Sequence, residues 1–563
     1  MDTLDVYRLI DMSYPYGLEA NPYPSSPTPS ISDSRILGGK THKSAKNAIV
    51  SCIKDLHSKL DKLPTDRDFR LITLIQDVGS GKTHLALHIR GLNELSENTI
   101  CSYVDLSKVA PRNIMNLYDA ILGGFSDYDI EKLRYAILNV AVKHAEKNAR
   151  NAKRLFNYGL KDRIKGTPIL DKVKSVMNGA FKLNYSYLRE TYSEEFSELE
   201  IEIIKSLLDN KLKSDVENIR SLEGVINSLS AISSINYKIL RKVTIFQFDE
   251  FDSNEDSLGL IKAIINAHIP SSILMLMLTP SSYDEIRTQN ASVFDRLEKA
   301  NYKIDLAGSS TFNEILDIIF EYLRFNDRYH KFDSNKENDL ASQIRIIYDE
   351  FPEFRNVRST LNIMYHATEM ASRMGSFIIN EEAIDETIKS IYPGLKIKGS
   401  LMGVSLSDFI KIRKVTQDMN IIESEIRDAV RNLLTCTNYT GNVKELNLDS
   451  RLGDGIDVVY SDEYGSKIAV SVVLNSNYAS ANAQISNISK SLNVVDKLLI
   501  LTNNSTSSNI NTNSSMNSGS MLVNMDKAKI IDLIYFNNKF KNQEIMNEDL
   551  LKSITLAKSI KLC

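Results

Sequence analysis

The stretch LITLIQDVGSGKTHLAL, residues 71–87, decides the fold. It lies in an apolar run, Phe69–Gln76, whose β-branched and leucine side chains read as a strand buried on both faces. It leads into THLALHIRGL, which has helical spacing. Between strand and helix stand Gln76, Asp77, Val78, Gly79, Ser80, Gly81, Lys82 and Thr83. Glycine at such a turn lets the backbone bend with positive φ and aim several N–H groups into one concavity. The next helix adds the positive end of its dipole. A concavity of that kind holds phosphates. Lys82 is placed for the β- and γ-phosphates and Thr83 for Mg²⁺, so residues 76–84, through His84, are the expected ATP-binding segment. The pattern GxxxxGKT opens on glycine; here that position is Gln76, which leaves the phosphate-contacting residues in place and changes the start of the turn.

A second acidic motif completes the chemistry. VTIFQFDE, residues 243–250, is a strand that ends in two carboxylates. Open α/β sheets bind ligands outside the carboxyl ends of their strands. Asp249 is expected there as the Mg²⁺-binding carboxylate, and Glu250 as the base that takes a proton from attacking water. Two adjacent carboxylates coexist cheaply only beside a cation.

With both motifs read, the chain resembles the AAA+ ATPases, and within them the archaeal initiator or origin-recognition-like group. The residues that carry the resemblance are GGKTHKSAKNAI ahead of the loop, VGSGKT, and FDEFD. The resemblance implies a P-loop α/β core in three layers, hydrolysis of ATP, and a site shared between neighbouring subunits. It implies a sensor-1 role for Thr279 in ILMLMLTPSS and an arginine finger at Arg296 in SVFDRLEKA. In EFRNVRSTLNIMYHA it implies sensor 2 at Arg358, with Arg355 as the alternative. It covers residues 34–395. One departure is large: Lys82 and Asp249 lie 167 residues apart, so residues 111–235 are expected to be a helical insertion.

Outward from this core the expected organisation is an extended arm over residues 1–33, which contains NPYPSSPTPS. The nucleotide-binding core takes residues 34–309 and a helical lid residues 310–395. A smaller α/β domain takes residues 400–563. In that last domain GDGIDVVYSDEYGSKIAVSVVLNS resembles the PD-(D/E)xK nuclease fold. Asp457 fits its first acid, but Ser471-Val472-Val473 stands where E-x-K belongs. The carboxylate and the lysine that would hold a metal and activate water are missing, so a non-catalytic binding module is expected; Glu423 or Glu425 offers a carboxylate but no lysine. The Ser/Asn tract at residues 503–520 reads as a disordered loop.

Bulk composition excludes several classes. The chain of 563 residues allows roughly two to four domains. Net charge is −4, so any nucleic-acid contact needs a local patch. One exists: residues 141–165 carry eight basic and two acidic residues, and Lys143, Lys147, Arg150 and Arg154 follow helical spacing. They read as a DNA-facing stripe or as a solvated face balanced by acidic neighbours. The four cysteines are scattered and form no zinc or disulfide framework. No segment reads as a signal peptide or a membrane span, and a cytoplasmic protein is expected. The expected partners are ATP and ADP, possible DNA, and a second copy or partner ATPase that supplies the finger. Two other readings stay open: a nucleotide-switched scaffold that binds protein, and a defence-type ATPase with a decayed nuclease domain.

Overall fold

Five strands form the sheet that positions the site: β1 (Phe69–Ile75), β2 (Thr99–Asp105), β3 (Val243–Asp249), β4 (Ser272–Leu278) and β5 (Tyr302–Asp305). The computed structural model describes residues 14–26, 33–60, 68–147, 150–166, 168–212, 221–308, 310–328, 332–415, 419–439, 443–447, 455–462, 464–474, 483–484, 488, 495–503 and 520–563. Strand order is β2-β3-β4-β1-β5, and every pairing is parallel.

Side chains alternate across this sheet as strand geometry requires. Leu274, Leu276 and Leu278 enter one apolar cluster, and Ile273, Met275 and Met277 enter another. The second cluster includes Ile49 and Leu56 of α1 (Lys40–Lys59) and Leu85 and Ile89 of α2 (Lys82–Gly91). Helices thus cover both faces, which explains why β3 and β4 read as predominantly apolar runs. The exception within β3, Gln247, is fully buried and donates from Nε2 to Ala86 O at 3.4 Å.

The other cluster is larger because the connection from β2 to β3 is long. Its described residues include the helices α3 (Ile114–Gly123), α4 (Asp127–Glu146), α5 (Arg150–Leu155), α6 (Leu160–Ile164), α7 (Ile169–Met177), α8 (Leu188–Tyr192), α9 (Glu198–Leu208) and α10 (Leu222–Leu240). Tyr118, Ile137, Tyr192 and Leu229 from these helices, and Phe156 just after α5, are all buried with Phe246 and Phe248 of β3. After β3 come α11 (Glu255–Ala267), α12 (Pro280–Gln289), α13 (Ala291–Glu298), α14 (Phe312–Asn326), α15 (Ser334–Glu350) and α16 (Val357–Arg373).

The chain divides into two compact units, Met1–Arg345 with Glu353–Ile378, and Ile346–Pro352 with Ile379–Cys563. The sheet of the second unit has the order β10-β9-β8-β7-β6 over Val443–Asn447 (β6), Val458–Asp462 (β7), Lys467–Val473 (β8), Lys497–Thr502 (β9) and Ser520–Asn524 (β10). It is mixed: β8, β9 and β10 run parallel, whereas β6 and β7 pair antiparallel. Ahead of this sheet in sequence come two helices, Leu406–Val415 and Met419–Tyr439. Residues 504–519 of the Ser/Asn tract lie outside the described residues.

Residues 14–26, expected as part of an extended arm, are docked. Tyr16, Leu18 and Tyr23 are buried. Asn21 Nδ2 donates to Tyr365 O at 2.9 Å and to Glu369 Oε1 at 2.8 Å on α16. Tyr16 N donates to Phe377 O at 2.7 Å. Proline and aromatic residues that composition reads as linker here supply apolar contact area.

Candidate functional site

β1 ends at Ile75, and its ladder continues one residue further, Gln76 N donating to Leu278 O at 3.1 Å. The chain then turns through Gly79 (φ +75°) and Gly81 (φ +113°) and enters α2 at Lys82. Both angles lie where only glycine sits without strain. Lys82 is buried, and its Nζ donates to Gln76 O at 3.1 Å and Asp77 O at 3.3 Å. Burial holds its amine below the ordinary lysine range, opposed by the carboxylates of Glu250, Asp249 and Asp77. The first N–H groups of α2 have no partners within the helix, as at any helix start.

Three adjacent strands end beside this loop. At the end of β3, Asp249 Oδ2 accepts from Thr83 Oγ1 at 2.5 Å and from Tyr103 O–H at 2.9 Å. Its Oδ1 accepts from Glu250 N at 2.9 Å. Glu250 has φ +53°, a left-handed backbone that costs a non-glycine residue energy and clusters at functional sites. Burial raises its carboxyl above the usual range; Lys82 opposes this and Asp249 adds to it. Thr279 stands at the end of β4, between β3 and β1, where its Oγ1 accepts from Ser282 N at 3.1 Å and caps α12.

Gly79, Ser80, Gly81, Lys82, Thr83, His84 and Glu250 line one cleft with Arg358. α16 reaches the loop directly: Arg358 N donates to Gly79 O at 3.0 Å. Arg358 acts electrostatically on both Lys82 and Glu250. Arg355, the alternative, is not among the lining residues. The cleft's apolar end includes Ile36, Leu37, Ile318, Tyr322 and Leu361, and the docked arm adds Pro24 and Ser26. His84 Nε2 lies 2.6 Å from Ile36 O and His88 Nδ1 2.6 Å from Ser34 O, which fixes the segment ahead of α1.

Not every expected residue is in the cleft. Gln76 is fully buried behind the loop, Asp77 accepts from Gly308 N at 2.7 Å, and Val78 is 68% exposed. Arg296 sits apart, with Nη2 donating to Asn266 Oδ1 at 2.7 Å and Nη1 to Ser292 O at 2.6 Å. Sequence reading missed Tyr103, His42 and Glu314. Tyr103 reaches Asp249 only because β2 pairs with β3 in a register that sets it opposite Gln247. No motif carries that information.

Thr83 Oγ1 and Asp249 Oδ2 are hard oxygen donors already in contact, a pair that suits Mg²⁺. Among the described residues no group of three or more His, Cys, Asp or Glu is arranged to hold a metal unaided. A cation here would draw its remaining ligands from phosphates and water, as Mg²⁺ commonly does.

The basic residues expected as one helical stripe fall on two helices: Lys143 and Lys147 at the end of α4, Arg150 and Arg154 on α5. All four are exposed. Among the described residues none forms an ion pair, and Arg154 lies over the Tyr187 ring at 5.3 Å. The nearby acidic run engages other partners, Glu195 with His144 and Glu198 with Arg189. The side chains of Lys161 and Arg163 lie outside the described residues.

In the second unit Asp457 is buried just before β7. Its Oδ2 accepts from Val472 N at 2.6 Å and its Oδ1 lies 3.0 Å from Arg427 Nε. Arg427 also pairs with Glu423. A guanidinium therefore bridges these two acids, and Ser471 donates to Gly455 O at 2.6 Å. Glu425 is turned elsewhere, to Lys541 and Asn537.

No protein-family model matches the chain, and no curated protein does. Among solved structures it is similar to that of the Aeropyrum pernix ORC2 protein in ADPNP–ADP complexes. The similarity covers 74% of this chain and 79% of that one, at a TM-score of 0.36 and 12% identity. A likeness so low decides neither fold nor function. No helix among the described residues is long and apolar enough to cross a membrane.

Proposed function

We propose that the chain is an Mg²⁺-dependent ATPase of the AAA+ kind. The observation that carries this is the hydrogen bond of 2.5 Å between Asp249 and Thr83, residues far apart in sequence, of which Thr83 lines one cleft with Lys82 and Glu250. Backbone N–H groups of the loop and the start of α2 bind the phosphates, and Lys82 swings from the loop carbonyls to the β- and γ-phosphates. Thr83 and Asp249 would hold Mg²⁺, which would supply charge neutralisation at the phosphates. Glu250 takes the proton of the attacking water, Thr279 orients that water, and Arg358 stabilises charge on the γ-phosphate. Arg296 serves a neighbouring copy's site, so the active form is an oligomer. The base fills the apolar end of the cleft.

Tyr103 holds the carboxylate that holds the metal, and partners of metal ligands commonly tune affinity about 10–100-fold. Tyr103→Phe is expected to raise the Mg²⁺ concentration for half-maximal ATPase about tenfold at unchanged ATP affinity. An unchanged Mg²⁺ requirement would mean that Thr83 and the Glu250 N–H suffice to position Asp249.

The exposed ends of Lys143, Lys147 and Arg150 favour DNA as the partner over a protein scaffold, since no acidic helix among the described residues covers them. The second unit, with Arg427 between its acids, is proposed as a non-cleaving binding module. The test is the ATPase rate with and without duplex and single-stranded DNA, over a range of protein concentrations. It should rise with DNA and more than linearly with protein. A rate indifferent to both would make the chain a monomeric nucleotide switch and sink the DNA reading.

A further inference from the structure

Two buried side chains, Gln76 and His42, converge on one carbonyl of the phosphate loop, and a third, Glu314, holds His42. Gln76 Nε2 donates to Ser80 O at 3.0 Å. His42 Nε2 lies 2.9 Å from the same oxygen and 2.7 Å from Gln76 Nε2. The other ring nitrogen, Nδ1, lies 3.0 Å from Glu314 Oε1. Glu314 also accepts from Thr41 N at 3.1 Å and His42 N at 3.3 Å. Gln76 is fully buried, His42 is 4% exposed and Glu314 6%. Burial alone would raise the Glu314 carboxyl, but the His42 ring and the two N–H donors outweigh it and hold it below the ordinary range. Three elements meet here: α1 brings His42, the end of β1 brings Gln76, and α14 brings Glu314.

The geometry matters because a trans peptide points its C=O and its following N–H in opposite directions. Fixing the Ser80 carbonyl toward the His42–Gln76 pair directs the Gly81 N–H the other way. Gly81 itself is tight against this group: a Cβ on it would stand 3.2 Å from His42 Nε2. Its φ of +113° leaves the peptide on either side free to turn unless something holds it. Gln76, which occupies the place of the usual first glycine, therefore supplies an amide that anchors the loop from behind, and His42 closes the other side with Glu314 as its orienter.

We propose that His42, oriented by Glu314 and acting with Gln76, is a positioning residue that sets the Ser80–Gly81 peptide for binding phosphates. It touches no reacting atom. This rests on the nucleotide-binding reading and assigns the energy of one part of it. The contribution falls on the phosphate chain and leaves the base and sugar unaffected.

The experiment is titration calorimetry on the full chain with ATP, ADP and tripolyphosphate, and saturation-transfer NMR with adenosine. His42→Ala, His42→Gln and Glu314→Gln are compared with wild type, each with its unfolding temperature. His42→Ala should weaken ATP, ADP and tripolyphosphate about tenfold or more and leave adenosine unchanged. His42→Gln, whose amide oxygen can accept from Gln76 and whose amide N–H can donate to the Ser80 carbonyl, should recover most of that loss. Glu314→Gln should show a smaller loss with the same selectivity, and it decides the matter if His42→Ala does not fold. Equal weakening of all four ligands, or phosphate affinities within twofold of wild type in both His42→Ala and Glu314→Gln, would overturn the assignment. If wild type binds adenosine but none of the phosphate ligands, or binds nothing, it is the nucleotide-binding reading that fails.

Discussion

Lys82→Ala is expected to abolish ATP binding at any practical concentration. The side chain is buried at the mouth of α2 and in this structure is satisfied only by two loop carbonyls, at 3.1 and 3.3 Å. Those are weak partners for a buried ammonium, and the phosphates are better ones. A hydrogen bond to a charged group is worth about 1.5–3 kcal/mol, and Lys82 is placed to make two of them. Their loss corresponds to a weakening of more than ~100-fold. Alanine also removes a cation that opposes the carboxylates of Glu250 and Asp249, so like-charge repulsion of the phosphates adds to the deficit. The fold should survive, because Lys82 sits at the first turn of α2 and alanine is a good helix former there. Calorimetric titration with ATP and Mg²⁺ measures the loss, and circular dichroism checks the fold. Affinity within threefold of wild type would sink the phosphate-loop assignment altogether.

The fold around the loop was legible because its elements are extreme cases. β1, β3 and β4 are buried on both faces and are written as predominantly apolar runs, broken only at Arg70, Thr73, Thr244 and Gln247, which no exposed helix can imitate. β5 was not legible: Tyr302–Asp305 is short, alternates and lies at the sheet edge. Its strand character comes from pairing with β1, a tertiary fact. β6 and β10 escaped for the same reason, β10 following directly on the Ser/Asn tract.

The site divides along similar lines. Lys82, Thr83, Asp249 and Glu250 were legible because their chemistry is local to a turn or a strand end. Tyr103, His42 and Glu314 were not, because each acts across elements. The histidine lies 34 residues from Gln76 and 272 from Glu314, and neither spacing means anything until the sheet brings α1 and α14 to the loop. Gln76 shows how a departure from a motif is read in one dimension as a missing glycine and in three as an added hydrogen-bond donor.

Glu250→Gln should separate binding from turnover. Glutamine has the same shape, keeps one acceptor and cannot take up a proton at neutral pH. The strained backbone at φ +53° is a property of the β3 turn, where Phe251 N donates to Met277 O at 2.9 Å, and the substitution leaves that bond alone. The phosphate contacts and the Thr83–Asp249 pair are equally untouched. ATP should bind within about threefold of wild type, while kcat falls ~10²–10⁴-fold, the usual worth of a positioned general base. Bound nucleotide recovered from the variant after a long incubation with Mg²⁺ should still be ATP, where wild type yields ADP. The carboxylate also sits within electrostatic reach of Lys82 and Arg358, so removing its charge should tighten ATP slightly by relieving repulsion of the γ-phosphate. Tighter binding with normal hydrolysis would leave Glu250 as a tuner of charge and move the search for the base elsewhere in the cleft. Lost binding with lost hydrolysis would mean that the residue's work is to hold the loop. Only the split between the two, measured on one preparation, identifies Glu250 as the group that receives the proton.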